Sequence, residues 1–233
     1  MLDIASLEGH FSFEFAARGA NVLGVEGRQT NVDIALAEKR RLGLSSVEFV
    51  RDDVRNLSRE KYGTFDCVLC LGILYHLEAK DAARLVSQIS EVCPDGLAVI
   101  DTHFAGAFEA GVSVDGSDYA GRFYTEYESE PSEEVTEQSV WSSIGNTKSF
   151  WFTRPSLYNM IERAGFTSVY ECHAPYVSDY PPDRVTLVAV KGRPERLLNA
   201  ENPEARAWPE LRPTAAPHPL RARLHHLKRV LTG

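Results

Sequence analysis

Apolar residues concentrate in short runs along the first hundred positions: Leu2 to Ala5, Val22 to Val25, Val47 to Val50, Phe65 to Gly72 and Leu97 to Ile100. Short, mostly apolar runs bounded by turn residues predict strands, and the fourth, the most continuously apolar, reads as buried on both faces of a parallel sheet. Between them the apolar positions recur at helical spacing. A helix is predicted from Gly9 to Arg18, with Phe11 and Phe15 on one face and Gly19 ending it. A second runs from Asn31 to Arg41, with Ile34, Ala35 and Leu42 in register and Gly43 as its stop, and a third from Asp81 to Val92, ended by Pro94. Glycine just past the last helical residue takes the left-handed conformation that closes a helix. Strands alternating with helices predict an α/β fold with a doubly wound, mostly parallel sheet.

After Asp101 the alternation breaks. Residues 104–150 hold glycines, aromatics and acids without sustained periodicity, too long for an ordinary connection. A segment leaving the fifth strand there lies at the carboxyl ends of the strands, where open sheets bind ligands, so it is expected to form a substrate lid. Pro155 then opens another helix, with Leu157, Ile161 and Ala164 inward and Gly165 as its stop. Two last strands, Ser168 to Cys172 and Arg184 to Val190, complete a predicted seven-stranded sheet as an edge hairpin. Residues 1–192 are thus one expected domain. Residues 193–233 differ in kind: a Pro- and Arg-rich extension, then Leu220, Leu224, Leu227 and Leu231 at helical spacing among basic residues, a short basic amphipathic helix.

The first turn carries the candidate chemistry. Leu2-Asp3-Ile4-Ala5-Ser6-Leu7-Glu8-Gly9 leads from strand to helix, and Glu26 tips the second strand about 20 residues after Ser6, the separation at which a strand-end carboxylate reaches a ribose diol. A pyrophosphate needs glycines at this turn, but Ala5 and Leu7 stand where the first two would be and only Gly9 remains. A nucleoside cofactor without a phosphate suits the turn better. Asp52-Asp53-Val54 follows the third strand, with Asp53, or Asp52 in competition, as an acceptor for an adenine amino group. Leu71-Gly72 ends the fourth, where glycine lets a ligand pass close to the backbone.

These segments, LDIASLEGHFS, VEG, DDV, FDCVLCLGILYHL and PDGLAVIDTHF, together resemble the class I S-adenosylmethionine-dependent methyltransferases, over roughly residues 1–192. GILYHL and SFWFTRPSLYN also resemble segments of the tRNA wobble-uridine carboxymethyltransferase-like group. The resemblance implies a Rossmann-like sheet, S-adenosylmethionine as cofactor, and cofactor contacts from Ala5, Ser6, Leu7, Gly9, Glu26, Gly27, Asp52, Asp53, Val54, Leu71 and Gly72. His76 and His103 follow strand ends at the sheet's carboxyl edge and are candidate general bases. Tyr75, Arg122, Tyr124, Trp151 and Tyr158 are candidates for the acceptor pocket.

Composition narrows the partners. A net charge of −8 argues against a chain built chiefly to hold nucleic acid. Between Glu109 and Glu137 nine acids face only Arg122, and such a charge run is expected to be a solvated face. No run is long and apolar enough for a membrane span and no signal peptide precedes the first strand, so a cytoplasmic enzyme is expected. Cys67 and Cys70 show C-x-x-C spacing, but side chains three apart on a strand point to opposite faces, so no metal is expected. The expected reaction is methyl transfer to oxygen or nitrogen of a small molecule. Transfer to RNA, and a non-catalytic binding subunit, are the alternatives, and a homodimer through the tail helix stays open.

Overall fold

The computed structural model describes residues 1–173 and 180–192, so the expected tail helix lies outside the described residues. The chain opens directly with β1 (Leu2–Ile4), followed by α1 (His10–Ala17), β2 (Val22–Glu26), α2 (Gln29–Leu42) and β3 (Val47–Arg51). A 3-10 turn at Val54–Asn56 and the short α3 (Arg59–Tyr62) lead to β4 (Cys67–Leu71). A second 3-10 turn, Leu74–His76, precedes α4 (Ala79–Val92) and β5 (Leu97–His103).

Strand order places β3, β2 and β1 on one side and β4 and β5 on the other, all parallel, so the direction of winding reverses between β1 and β4. Such a switch point leaves a crevice at the carboxyl ends of the two strands. The sheet continues through β10 (Arg184–Val190), antiparallel to β5, to β9 (Ser168–Glu171) at the edge. It is the seven-stranded mixed sheet expected of a Rossmann-like methyltransferase, with its antiparallel hairpin.

One core cluster joins Leu2, Ile4, Val68, Cys70 and Ile100 of the sheet to Leu85, Val86 and Ile89 of α4 and Leu157, Met160 and Ile161 of α6 (Arg154–Arg163). A second gathers Phe13 and Ala16 of α1 with Val22, Ala35, Val47 and Phe49. Each fully buried aliphatic side chain contributes about 1.5–3 kcal/mol. Thr153 caps α6 by accepting from Ser156 N, and Pro155 sits in the first turn, where its missing N–H costs nothing.

Four expectations are corrected here. Residues 104–150 are not an irregular lid throughout: β6 (Ala110–Val114), β7 (Ser117–Thr125) and β8 (Lys148–Phe152) form a separate antiparallel sheet, with α5 (Glu133–Gln138) and loops between β7 and β8. Its alternation is hidden because Tyr119 and Ala120 are consecutively buried, while Phe123 and Tyr124 are both exposed. On α1 the buried face is Ser12, Phe13 and Ala16, and Phe11 and Phe15 face outward instead. On α2, Asn31, Val32 and Ala35 are buried, whereas Ile34 and Leu42 are exposed. Glu126, read as part of a solvated acidic run, has a side chain only 1% exposed.

Candidate active site

The turn after β1 is held in an unusual backbone. Ala5, Leu7 and Gly9 have φ of 54°, 49° and 83°, so two side-chain-bearing residues occupy the left-handed region that glycine takes freely. Gly9 is also sterically required, since a Cβ there would stand 2.5 Å from the Phe49 ring. The compensation is local bonding: Ser6 N donates to Val25 O at 3.1 Å and Gly9 N to Ser6 O at 2.8 Å. Leu7 N donates to Glu26 Oε2 at 3.0 Å, while Arg28 N and Asn31 Nδ2 donate to Oε1 at 2.9 and 3.2 Å. Glu26 is thereby fixed at the end of β2, 2% exposed, with its carboxylate on the crevice.

The crevice opens into a cavity of about 750 Å³. Of the residues expected to hold the cofactor, Ala5, Leu7, Glu26, Gly27, Asp53, Val54, Leu71 and Gly72 line it. Ser6, Gly9 and Asp52 do not. Ser6 is buried behind the turn, its hydroxyl without a partner among the described residues. Gly9 packs on Phe49. Asp52 turns to Lys61, at 2.5 Å, and to Tyr62 and Asn56. Burial pushes its carboxyl up, but those three bonds outweigh burial and hold it down at about 2. Of the two, Asp53 is the one on the cavity: its Oδ1 accepts from Arg55 N and Nε at 2.9 and 3.0 Å, and Oδ2 has no protein donor among the described residues.

Two arginines that sequence reasoning missed fasten the cover. Arg28 donates to the carbonyls of Thr136, Ser139 and Ser142 at 2.9, 2.8 and 2.6 Å, and Arg55 Nη2 donates to Ile144 O at 2.5 Å. The covered segment brings Val140, Trp141 and Ile144 onto the cavity. A Cβ at Gly27 would meet Ile144 Cδ1 at 2.6 Å, so glycine lets the cover close there. Beyond Gly72, Asp101 forms a polar wall. It accepts from Arg184 Nε and Thr186 Oγ1 at 2.6 Å each and from Tyr180 at 3.0 Å.

His76 and Tyr75 line the same cavity. His76 Nδ1 lies 3.0 Å from both oxygens of Glu126. A carboxylate only accepts, so Nδ1 is the nitrogen that carries a proton, and in the neutral ring Nε2 is the one with a lone pair. Burial pushes the Tyr75 hydroxyl up, with the Arg184 charge pulling the other way. The other candidates do not line this cavity, although His103 and Trp151 pack edge-on against Tyr75, which does. His103 is held by Asp183 at 3.1 Å and stacks on Trp151, which in turn stacks on Tyr124 and carries the Arg122 guanidinium over its ring at 4.3 Å. That packing absorbs the aromatic faces. Tyr158 donates to Glu171, beside the antiparallel edge of the main sheet. Sequence gave no signal for Glu126, Arg28 or Arg55, because a charge in a loop reads as solvent-facing until a fold surrounds it.

Residues 1–96 match the family model described as a methyltransferase domain. Over those residues the chain matches a methyltransferase domain, and its strand order and crevice are those of the S-adenosylmethionine-dependent methyltransferase fold. It is similar to the ubiquinone biosynthesis O-methyltransferases of Rickettsia conorii, 26% identical over 102 residues covering 44% of this chain and 34% of that one, and of Acinetobacter baylyi, 26% identical over 96 residues covering 41% and 40%. The matched stretch thus spans well under half the length of these curated relatives. Among solved structures, the N-terminal domain of EvdMO1 with SAH bound superposes with a TM-score of 0.66 at 26% identity, covering 82% of this chain and 74% of that one. The same domain was also solved in the presence of SAH and D-fucose. A methyltransferase from Clostridium acetobutylicum shares the fold, with a TM-score of 0.56 at 15% identity, over 82% and 83% of the two chains.

The residues of this methyltransferase domain fit the cofactor. Glu26 offers a fixed carboxylate to a ribose diol, Asp53 Oδ2 an acceptor to an amino group, and Gly72, with φ of 83°, a side-chain-free passage at the end of β4. The volume is that of a pocket for a drug-sized ligand, about 300–1,000 Å³. Among the described residues, no helix is long and apolar enough to cross a membrane.

Proposed function

We propose that this chain is a methyltransferase acting on a hydroxyl oxygen of a small molecule, with His76 as general base. The observation that carries it is the position of His76: it lines the cavity that holds Glu26 and Gly72, and its Nδ1 is committed to Glu126, which leaves Nε2 to accept a proton. The cofactor bound there supplies an electrophilic methyl on a sulfonium. The protein's part is to hold the acceptor in line, worth about 7–11 kcal/mol in well-oriented cases, and to take up the hydroxyl proton as the oxygen forms its bond to carbon. A hydroxyl needs that base more than a neutral amine does, because an amine's lone pair attacks before its proton leaves. Oxygen is therefore favoured over nitrogen.

The relatives support a small acceptor. Ubiquinone biosynthesis O-methyltransferases and a domain solved with D-fucose direct the search to phenols and sugars. The resemblance to the wobble-uridine group supports an RNA acceptor as the second reading, which predicts RNA binding lost steeply with salt. The test is methyl transfer from labelled S-adenosylmethionine to catechol, D-fucose and a tRNA mixture, with wild type beside His76→Asn. Transfer to a small hydroxyl that falls about 10²- to 10⁴-fold in His76→Asn supports the reading. Transfer to tRNA alone, or a His76→Asn enzyme at wild-type rate, overturns it.

A further inference from the structure

We propose that Glu126 is a positioning residue that ties docking of the 139–147 segment to the orientation of His76; the inference rests on the base assignment above. Glu126 follows β7 directly, and its backbone N donates to Thr147 O at 2.8 Å. Its side chain, 1% exposed, accepts from three sources: His76 Nδ1 at 3.0 Å, Ser149 Oγ at 2.7 Å and the backbone N–H of Ser143 at 3.1 Å. The last of these belongs to the cover.

The same few residues touch the cofactor side. Ile144 packs over Gly27 and its carbonyl takes the Arg55 guanidinium, whose Nε is bonded to Asp53. Asn146 Nδ2 donates to the His76 carbonyl at 3.0 Å, and Ser143 Oγ to Asn146 O at 2.5 Å. The segment therefore lines the cofactor cavity from Val140 to Ile144 and, through the backbone N–H of Ser143, completes the shell of Glu126. With the segment docked, the carboxylate is saturated by fixed donors and holds His76 with Nδ1 protonated. Undocked, Glu126 loses Ser143 N–H, becomes open to water, and ceases to select the tautomer whose Nε2 can act. Proton removal thus waits for the cover to close over a bound cofactor.

The ring nitrogens of His76 report this directly. In the full chain labelled with ¹⁵N-histidine and saturated with SAH, wild type is expected to show His76 as the Nδ1–H tautomer. Glu126→Gln and Ser143→Pro, which removes the backbone donor, should both shift it toward Nε2–H while SAH still binds. On catechol, Glu126→Gln should lower turnover about 10- to 100-fold. Glu126→Asp should restore part of it, and Glu126→Gln added to His76→Asn should cost nothing more. An unchanged tautomer in Glu126→Gln, or additive losses in the double variant, overturns the positioning role. An unchanged tautomer in Ser143→Pro overturns the link to the cover. If instead the tautomer shifts as expected but His76→Asn keeps wild-type turnover, positioning stands and the base assignment falls. Where Glu126→Gln fails to bind SAH, Glu126→Asp and Ser143→Pro carry the comparison.

Discussion

Residues 1–103 and residues 104–152 build opposite walls of one cavity by different means. The first wall is made of strand ends and tight turns, and its ligand-facing groups, Glu26 and Asp53, are side chains fixed by backbone donors. The second is the loop at Val140–Ile144, carried between β7 and β8 of the small sheet, and it is held in part by the reverse: arginine side chains of the first wall gripping main-chain carbonyls of the second. A carbonyl is present whatever the residue. Those arginine anchors survive a change of the cover's side chains, whereas the further ties through Glu126, Glu137 and Asn146 do not.

The comparison is broken hardest at Glu26. Glu26→Gln removes the charged acceptor and sets an amide against three protein donors, so SAH affinity measured by calorimetry should fall about 100-fold or more, charge-assisted bonds being worth ~1.5–3 kcal/mol each. Undiminished binding would mean that the ribose lies elsewhere.

Asp3, beneath the same turn, tests the strength of the first wall in the absence of ligand. Burial is the main cause that raises its carboxyl to about 6, Ser12 bonding pulls part of the way back, and the Glu26 charge adds to the rise. The folded state therefore keeps the Asp3 proton to about pH 6, while the unfolded chain releases it near 3.8. Stability falls as pH rises through that window, and above it the charged form costs about 3 kcal/mol. Asp3→Asn should raise Tm at pH 7.5, with the gain vanishing below pH 4. A gain that is independent of pH would sink this account.

Arg28→Met sharpens the contrast between the walls. It should weaken SAH about tenfold, roughly one charge-assisted bond, and speed amide exchange in 132–144. Thr136→Ala with Ser139→Ala, which keep their carbonyls, should do neither. The smallest effect is expected at Ala5→Gly, which relieves left-handed strain of about 1–2 kcal/mol against a glycine entropy cost of about 0.5–1 kcal/mol. Tm should rise by a degree or two, about the scale of half a kcal/mol in a chain this long. A fall would show that φ at Ala5 costs little.

The same asymmetry explains what could be read from the chain. Buried parallel strands write themselves as mostly apolar runs, and Glu26, Asp53 and Gly72, each read from its place at or just after a strand end, line one crevice. The cover's register is set by long-range pairing and by carbonyls, which leave no mark on residue type. Phe11 and Phe15 misled for a related reason. They are apolar at helical spacing, yet they line the cavity rim rather than the core, with Phe11 50% exposed. Glu126 looked like its acidic neighbours because what distinguishes it is His76, Ser143 and Ser149, all distant in the chain.

The central strand also carries its own clock. Cys70, between β1 and β5, is fully enclosed, and burial raises its thiol to about 12, while Cys172 is exposed at the sheet's edge. A thiolate is the reactive form. An alkylating reagent will therefore label Cys172 first and Cys70 only when the middle of the sheet parts. The delay between the two modifications measures how often the whole domain opens, with no engineered probe.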